Sequence, residues 1–307
     1  MSYLDANLRT INCSDLDEFW DCISPIGEIF GKGLHAYRGQ GNSIWEMTPR
    51  IFRAPVIQKY RVGMKGKVFS DHPGQTFIEY ALLRTFLMYC DVRGLAVPCD
   101  SMEFRAYLGR ILTLHGIQNH NWPDQQILPL MALAQHHGVP TRLLDVSSNP
   151  YVAAYFAATT AFDQTTRSPD DRLAVFGLEQ GTLSDSAGIR TVQVPGSTSP
   201  NLSAQSGAFL LVENSGYRGE EFTPEVSIEA KLATIAPKPD INNMANTSSQ
   251  PFLIKVTLPI RFAAHLHQRC ERFGISAATI FPGYDGAARA ANESYFAEAL
   301  LEEIGHS

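Results

Sequence analysis

The hydrophobic pattern changes its period near residue 141, and this change limits the folds open to the chain. Before that point, apolar side chains recur at helical spacing over residues 75–90, 101–115 and 124–137. After it, short apolar runs between polar turns predict β-strands: RLAVFGLE, TVQVP, AFLLVE and FLIKVTLP. The pattern predicts an α+β fold in which N-terminal helices pack on a mostly antiparallel sheet core.

Other elements follow from local signals. The segment LHAYRGQ predicts a short buried strand, and NPYVAAYFAATTAF predicts a helix rich in small residues. Residues 15–30 and 260–275 each predict a further helix, the second ending at Gly274. The polar stretch 214–250 exceeds the usual connection length, which indicates a functional or mobile loop if no helix forms inside it.

Composition excludes several classes of protein. A hydrophobic content of 44% and a charged content of 18% are typical of a soluble globular protein. The net charge of -6 argues against broad electrostatic binding of nucleic acid or of anionic lipid. Five cysteines at irregular spacings favour reduced thiols. No apolar run is long enough for a membrane helix or a secretion signal, so we expect a cytoplasmic protein without a membrane partner.

One short segment concentrates positive charge. AYRGQGNSIWEMTPRIFR contains Arg38, Arg50 and Arg53 in a stretch that otherwise resembles buried sequence. Fixed guanidinium groups in such surroundings predict an anionic ligand or an internal ion pair.

A second segment, AQHHGVPTRLLDVSSNPYVAAYFAA, is the densest in polar groups with a chemical use. Asp145 interrupts an apolar strand, so its carboxylate needs a partner or a cleft. Ser147, Ser148 and Asn149 are helix-capping types, and the unpaired N–H groups of a helix start can hold an anion. The alternative is structural: Ser148 or Asn149 is a cap, and Asp145 pairs with Arg142 or with Arg38.

Other chemistries lack their motifs. HLHQRC brings two histidines and a cysteine together, but only His267 and Cys270 share a helix face, so we expect no metal site. The sequence contains no GxSxG elbow, P-loop or GxGxxG. A nuclease would need a cluster of metal-binding acids that the sequence does not show.

Four motifs in order resemble the bacterial FRG domain, which is named for its [F/Y]RG motif. They are YRGQ with W…TPRIFR, the AQHHGVPTRLLDVSSNP segment, NLSAQSGAFLL, and RFGISAATIFPGYDG. The resemblance implies a single FRG-like domain over residues 1–307. Within it we expect a helical segment over 1–34, a motif-bearing core over 35–286 and a C-terminal helix over 287–307.

The motif order also resembles that of the ADP-ribosyltransferases, and implies a fold like theirs. In this resemblance Arg38 takes the arginine role, Ser147 with Ser148 the Ser/Thr role, and Gln205 the third position. It implies NAD as substrate without a metal, and Asp145 as a further catalytic group. The residues it places around NAD are Tyr37, Arg38, Gly39, Gln40, His136, Ser148, Asn149 and Tyr155.

These residue types suit the chemistry of NAD. A guanidinium binds a pyrophosphate bidentately, and Gly39 would let the backbone approach it. Cleavage of the nicotinamide–ribose bond passes through an oxocarbenium-like state that negative charge stabilises. Gln205 can orient ribose but supplies no charge, so the carboxylate must come from Asp145, Glu46 or Asp285.

The resemblance therefore predicts a toxin-like ADP-ribosyltransferase, in phage defence or a toxin–antitoxin pair. Its acceptor would be a macromolecule, either protein or RNA/DNA, and an antitoxin or chaperone would be a partner. The alternative is a non-catalytic FRG module that binds a nucleotide or nucleic acid and signals to a partner.

Overall fold

The structure is a computed structural model. It describes residues 3–31, 35–64, 74–114, 122–162, 168, 170–180, 188–195, 200–213, 226–236, 238–239 and 249–305.

A seven-stranded sheet forms the centre of the fold, in the order β1-β9-β4-β2-β3-β6-β5. Its strands are β1 Leu8–Asn12, β2 His35–Gln40, β3 Leu143–Ser147, β4 Arg172–Glu179, β5 Ile189–Val192, β6 Gly207–Val212 and β9 Leu253–Pro259. All neighbours pair antiparallel except β1 and β9, which are parallel. A separate two-stranded ribbon joins β7 Lys238–Pro239 to β8 Ser249–Gln250.

Helices surround this sheet. The short ones are α1 Tyr3–Asn7, α2 Leu16–Cys22, α8 Pro200–Ala204, α9 Ile228–Leu232 and α11 Ala277–Ile280. The longer ones are α3 Ala54–Met64, α4 Gln75–Val92, α5 Met102–Leu114, α6 Leu128–His136, α7 Pro150–Phe162, α10 Ala263–Arg272 and α12 Tyr284–Gly305.

The predicted α+β class with a mostly antiparallel sheet is confirmed. Two details differ. Asp124 caps a 3₁₀ turn over Gln125–Ile127, so α6 starts only at Leu128. The stretch 214–250, predicted as a loop, contains the short helix α9, which Ser227 caps by accepting the N–H of Ala230.

Three apolar clusters pack against the sheet. One lies under α2, α7 and α10 and includes Tyr37 and Val175. A second cluster, under α4, α5 and α6, includes Leu143 and Phe209. It lies on the same face as the first, because Ser147 of β3 pairs with Tyr37 and residues paired across a ladder point to the same side. The third covers the opposite face with α3 and α9. The first face therefore carries two blocks of helices with a space between them.

Helix α7 lies very close to β2, and glycines in β2 and just after it make this approach possible. A Cβ on Gly39 would stand 1.8 Å from the carbonyl oxygen of Ala153 and 2.7 Å from the nitrogen of Ala157. One on Gly41 would stand 2.5 Å from the nitrogen of Ala161. Strand and helix thus meet backbone to backbone, which only glycine facing alanine permits. Gly39 therefore admits the close approach of α7.

The sheet opens between β2 and β3. β2 pairs with β4 over all six of its residues, and β3 pairs with β6 over all five. Between β2 and β3, only Tyr37 and Ser147 are paired. Beyond that pair the two strands diverge, and the side chain of Arg38 crosses the opening.

A buried ion pair joins the residue before β3 to helix α4. Arg142, with none of its surface exposed, donates from Nε and Nη2 to Glu79 of α4 at 2.7 and 3.0 Å. Glu79 also accepts from the indole of Trp122 and from Gln75. Because Arg142 pairs with Glu79, the alternative in which it pairs with Asp145 is wrong.

Candidate functional site

A cavity of about 350 Å³ lies between the two helical blocks, over the opening of the sheet. Its polar walls come from β2, β3, α6 and the turn after α8, through Arg38, Gln135, Asp145, Ser147 and Gln205. Its apolar walls come from Phe156, Phe209 and Phe281. Such a cavity, apolar with a few convergent polar groups, has the size and character of a small-molecule site. We call it the first cavity.

Arg38 stands where β2 and β3 separate. Its Nη1 donates to the backbone carbonyl of Asp145 at 2.6 Å. Its Nε is buried and has no hydrogen-bond partner among the described residues. Burial lowers the pKa of Arg38, with Asp145 acting against the shift and Arg53 adding to it. An arginine stays protonated at neutral pH, so the lowered pKa reflects a cation that the protein only partly compensates.

Asp145 supplies a carboxylate to the first cavity. Its backbone carbonyl binds Arg38, whereas its Oδ1 accepts from the amide of Gln135 at 2.9 Å. The side chain is exposed to the cavity. His136 of α6 lines the same wall, and burial lowers its pKa, as His137 also does, while Asp145 raises it. The imidazole is therefore neutral at neutral pH.

Ser147 and Gln205 lie side by side although 58 positions separate them in sequence. The hydroxyl of Ser147 donates to the carbonyl of Gln205 at 2.8 Å and accepts from the N–H of Asn149 at 3.0 Å. The side-chain amide of Gln205 donates to the carbonyl of Ile280 at 3.2 Å. Both residues line the first cavity, and the hydroxyl of Ser147 is already bonded within the protein.

Four predicted site residues, Gln40, Ser148, Asn149 and Tyr155, do not line the first cavity. Asn149 caps α7 by accepting the N–H of Tyr151 at 2.9 Å, as the structural alternative predicted. The hydroxyl of Ser148 approaches the carbonyl of Ser206 at 3.3 Å. Tyr155 is fully buried on the far side of α7, where its hydroxyl donates to Glu293 at 2.6 Å.

A second arginine of the first cavity, Arg289, was not predicted from the sequence. Arg289 of α12 lines the wall opposite the sheet, and its guanidinium stacks 4.5 Å from the ring centre of Phe281. Its Nε donates to Glu293 at 2.6 Å, and Glu293 in turn binds Tyr155. The only sequence signal was its place just after the FPGYDG motif, in a segment predicted as plain helix.

Arg38 also borders a second cavity, of about 490 Å³, beyond the end of β2. Gln40, Trp45, Glu46 and Arg53 line it. Gln40, predicted to contact NAD, lies here and not in the first cavity, whereas Tyr37 and Gly39 do line the first.

The remaining candidates lie elsewhere. Arg50 donates to the carbonyl of Gly138 at 3.1 Å. Asp285 sits in the exposed first turn of α12 and lines neither cavity. Within the described ranges, no group of three or more histidine, cysteine or acidic side chains is arranged to hold a metal ion. No described helix is both long and apolar enough to cross a membrane.

The protein has a mixed α/β fold. Its first cavity lies where the sheet opens beside Arg38, whose positive charge the protein only partly neutralises. Residues 34–166 match the family model of the FRG domain, so this segment of the chain is similar to that domain. The matched segment contains β2, β3 and α7 but neither Gln205 nor Arg289. A comparison with curated proteins found no match, and a comparison with solved structures found none either.

Proposed function

We propose that this protein binds NAD in the first cavity and transfers its ADP-ribose to a macromolecule. The observation that carries the proposal is that Arg38, Ser147 and Gln205, from three separate motifs, line one cavity. These are the positions that the resemblance to ADP-ribosyltransferases assigns to NAD.

The charges of the cavity suit a dinucleotide. Arg38 and Arg289 line the walls together with the carboxylate of Asp145. Arg289 is paired with Glu293, so Arg38 is the cation left partly uncompensated for a pyrophosphate. The aromatic rings of Phe156, Phe209 and Phe281 offer apolar faces to a base or to nicotinamide. No metal is needed to bind the phosphates in this arrangement.

The reaction breaks the bond between nicotinamide and C1′ of the ribose. Nicotinamide leaves with the bonding electrons, an acceptor atom bonds to C1′, and the acceptor loses its proton. Asp145 is the carboxylate that stabilises the positive charge developing on the ribose. Neutral His136, on the same wall, is the base that takes the acceptor proton. Ser147 acts indirectly, since its bond to the Gln205 carbonyl holds the two motifs together.

A non-catalytic binding module is the second candidate, and one observation favours it. The third motif position is Gln205, which carries no charge, and its amide is bonded to Ile280. In that case the cleft would bind NAD or a related nucleotide without releasing nicotinamide. A toxin-like role, with an antitoxin or chaperone that restrains the protein, extends the first candidate and is proposed on the family resemblance alone.

The test is incubation of purified protein with labelled NAD and crude lysate, followed by separate protease and nuclease digestion. We expect macromolecular label that one digestion removes, and loss of both label and NAD binding in Arg38→Ala. Arg93→Ala, which changes an exposed arginine outside both cavities, is the control. NAD binding without nicotinamide release would favour the binding module. Full activity of Arg38→Ala would overturn the assignment of the cleft.

A further inference from the structure

We infer that the second cavity binds a nucleotide unit of a nucleic-acid strand, next to the NAD of the first cavity. Its role as the acceptor site rests on the proposed function, whereas nucleotide binding does not. The two cavities share Arg38, Gly39 and Thr160, so their contents meet at Arg38. A volume of about 490 Å³ is ample for one nucleotide.

Gln40 presents an unmet hydrogen-bond acceptor at the wall of this cavity. Only 6% of its surface is exposed, and its Oε1 has no partner within the part of the chain that the structure describes. A buried amide oxygen without a partner costs free energy, and natural folds rarely retain one without a use. The terminal torsion of glutamine is soft, so Oε1 can turn toward a donor in the cavity. The exocyclic amine of a base is such a donor.

Trp45 supplies an aromatic face. It lies in the loop after β2, is 43% exposed and lines the second cavity. The other two tryptophans, Trp20 and Trp122, are buried. An exposed indole beside a polar cavity is the group on which nucleic-acid bases stack in proteins that bind single strands.

The charges select a nucleotide over a basic side chain of a protein acceptor. Arg38 and Arg53 line the cavity against a single carboxylate, that of Glu46. The Nε of Arg53 donates to the carbonyl of Thr48 at 3.2 Å, which holds the guanidinium beside the cavity. Two guanidinium groups repel a cationic acceptor and attract a phosphate. Binding is thus local and occurs despite the net charge of -6.

The experiment measures tryptophan fluorescence of the full chain titrated with each of the four ribonucleoside 5′-monophosphates, with and without saturating NAD. We expect saturable quenching by at least one nucleotide that persists with NAD and disappears in Trp45→Phe. Affinity should fall about tenfold in Gln40→Leu and in Arg53→Gln, as calorimetry would confirm. Ile44→Ala is the matched control, because Ile44 neighbours Trp45, is exposed and lines neither cavity.

Each other outcome decides the matter. Quenching that NAD abolishes and that Gln40→Leu leaves unchanged places the nucleotide in the first cavity and overturns the inference. Absence of binding at millimolar nucleotide overturns it as well. NAD-derived label that protease removes and nuclease does not would refute the acceptor role of the site and leave nucleotide binding to the titration. Urea denaturation of Gln40→Leu, compared with the unmodified protein, separates lost binding from lost structure. If the unmodified protein binds a nucleotide in this way but does not bind NAD, the proposed function is refuted and nucleotide binding in the second cavity is retained.

Discussion

The hydroxyl of Ser147 donates to the backbone carbonyl of Gln205 across 2.8 Å, joining the end of β3 to the turn before β6. The same oxygen accepts the N–H of Asn149 at the start of α7. One side chain therefore fixes the relative positions of a strand, a turn and a helix at the edge of the first cavity. Ser147, a predicted site residue that lines the first cavity, thus also holds the parts of the cavity together.

Ser147→Ala should lower the free energy of unfolding by about 1–3 kcal/mol, because it removes two part-buried hydrogen bonds, one to the Gln205 carbonyl and one from the Asn149 N–H. Urea denaturation measures the loss. Ser148→Ala is the comparison, since the bond from Ser148 is longer, at 3.3 Å, and the residue is exposed. Equal effects of the two substitutions would show that the hydroxyl of Ser147 has no special structural role.

Gly39→Ala should destabilise the protein by at least about 3 kcal/mol, because its methyl group would overlap the carbonyl of Ala153. Gly109→Ala in α5 should instead stabilise the protein, since no atom lies within 4 Å of the added Cβ. Alanine is the better helix former by about 1 kcal/mol. Thermal unfolding of both variants tests the pair, and a stable, soluble Gly39→Ala protein would contradict the close packing of α7 on β2.

Arg289→Gln should weaken NAD binding about tenfold by removing one of the two cations of the first cavity. Arg289→Lys keeps the positive charge but not the planar guanidinium. Its affinity for NAD should lie between those of Arg289→Gln and the unmodified protein. Calorimetric titration with NAD gives the affinities, and Arg93→Gln provides an exposed arginine outside the cavity as control. If Arg289→Gln binds NAD normally while Arg38→Ala does not, the ligand occupies only the sheet side of the cavity.

Stability should fall on acidification through Glu293. Burial raises the pKa of this carboxyl, but the nearby imidazole of His267, with Nε2 3.4 Å away, and hydrogen bonds from Arg289 and Tyr155 outweigh burial and hold the pKa below its ordinary value. A depressed pKa contributes stability that is fully present above the unfolded value of about 4.3 and is lost as pH falls through the folded pKa.

Urea midpoints of the unmodified protein and of Glu293→Gln, measured from neutral pH to about pH 3, test this contribution. The variant should be less stable at neutral pH and lose less on acidification. Glu298→Gln changes an exposed carboxylate of the same helix and should follow the unmodified protein. Parallel curves for all three proteins would show that Glu293 does not contribute to the pH dependence.

Local patterns were sufficient to predict most of the fold. Periodicity identified α4, α7, β4 and β9 because each carries a long, regular apolar pattern. It did not identify β1, whose burial is only partial and which pairs at the sheet edge with a strand about 245 residues away. Such a pairing is decided by tertiary packing, which no local window contains.

The candidate site was predictable in part for a similar reason. Arg38, Asp145, Ser147 and Gln205 were found because they interrupt apolar patterns or carry motif positions, and the structure brings them to one cavity. Arg289 was missed because nothing near it in sequence distinguishes it from other helix-surface arginines. Glu79 was missed as the partner of Arg142 because the two lie 63 positions apart.

The divergence of β2 from β3 leaves the sheet as two halves, β1-β9-β4-β2 and β3-β6-β5, with a single rung between them. A molecule bound at Arg38 touches both halves and stands where the ladder lacks its rungs. Each half carries its own block of helices, so a ligand in the first cavity would contact both halves and link them. The segment 34–166 provides both β2 and β3, the two strands on either side of this opening.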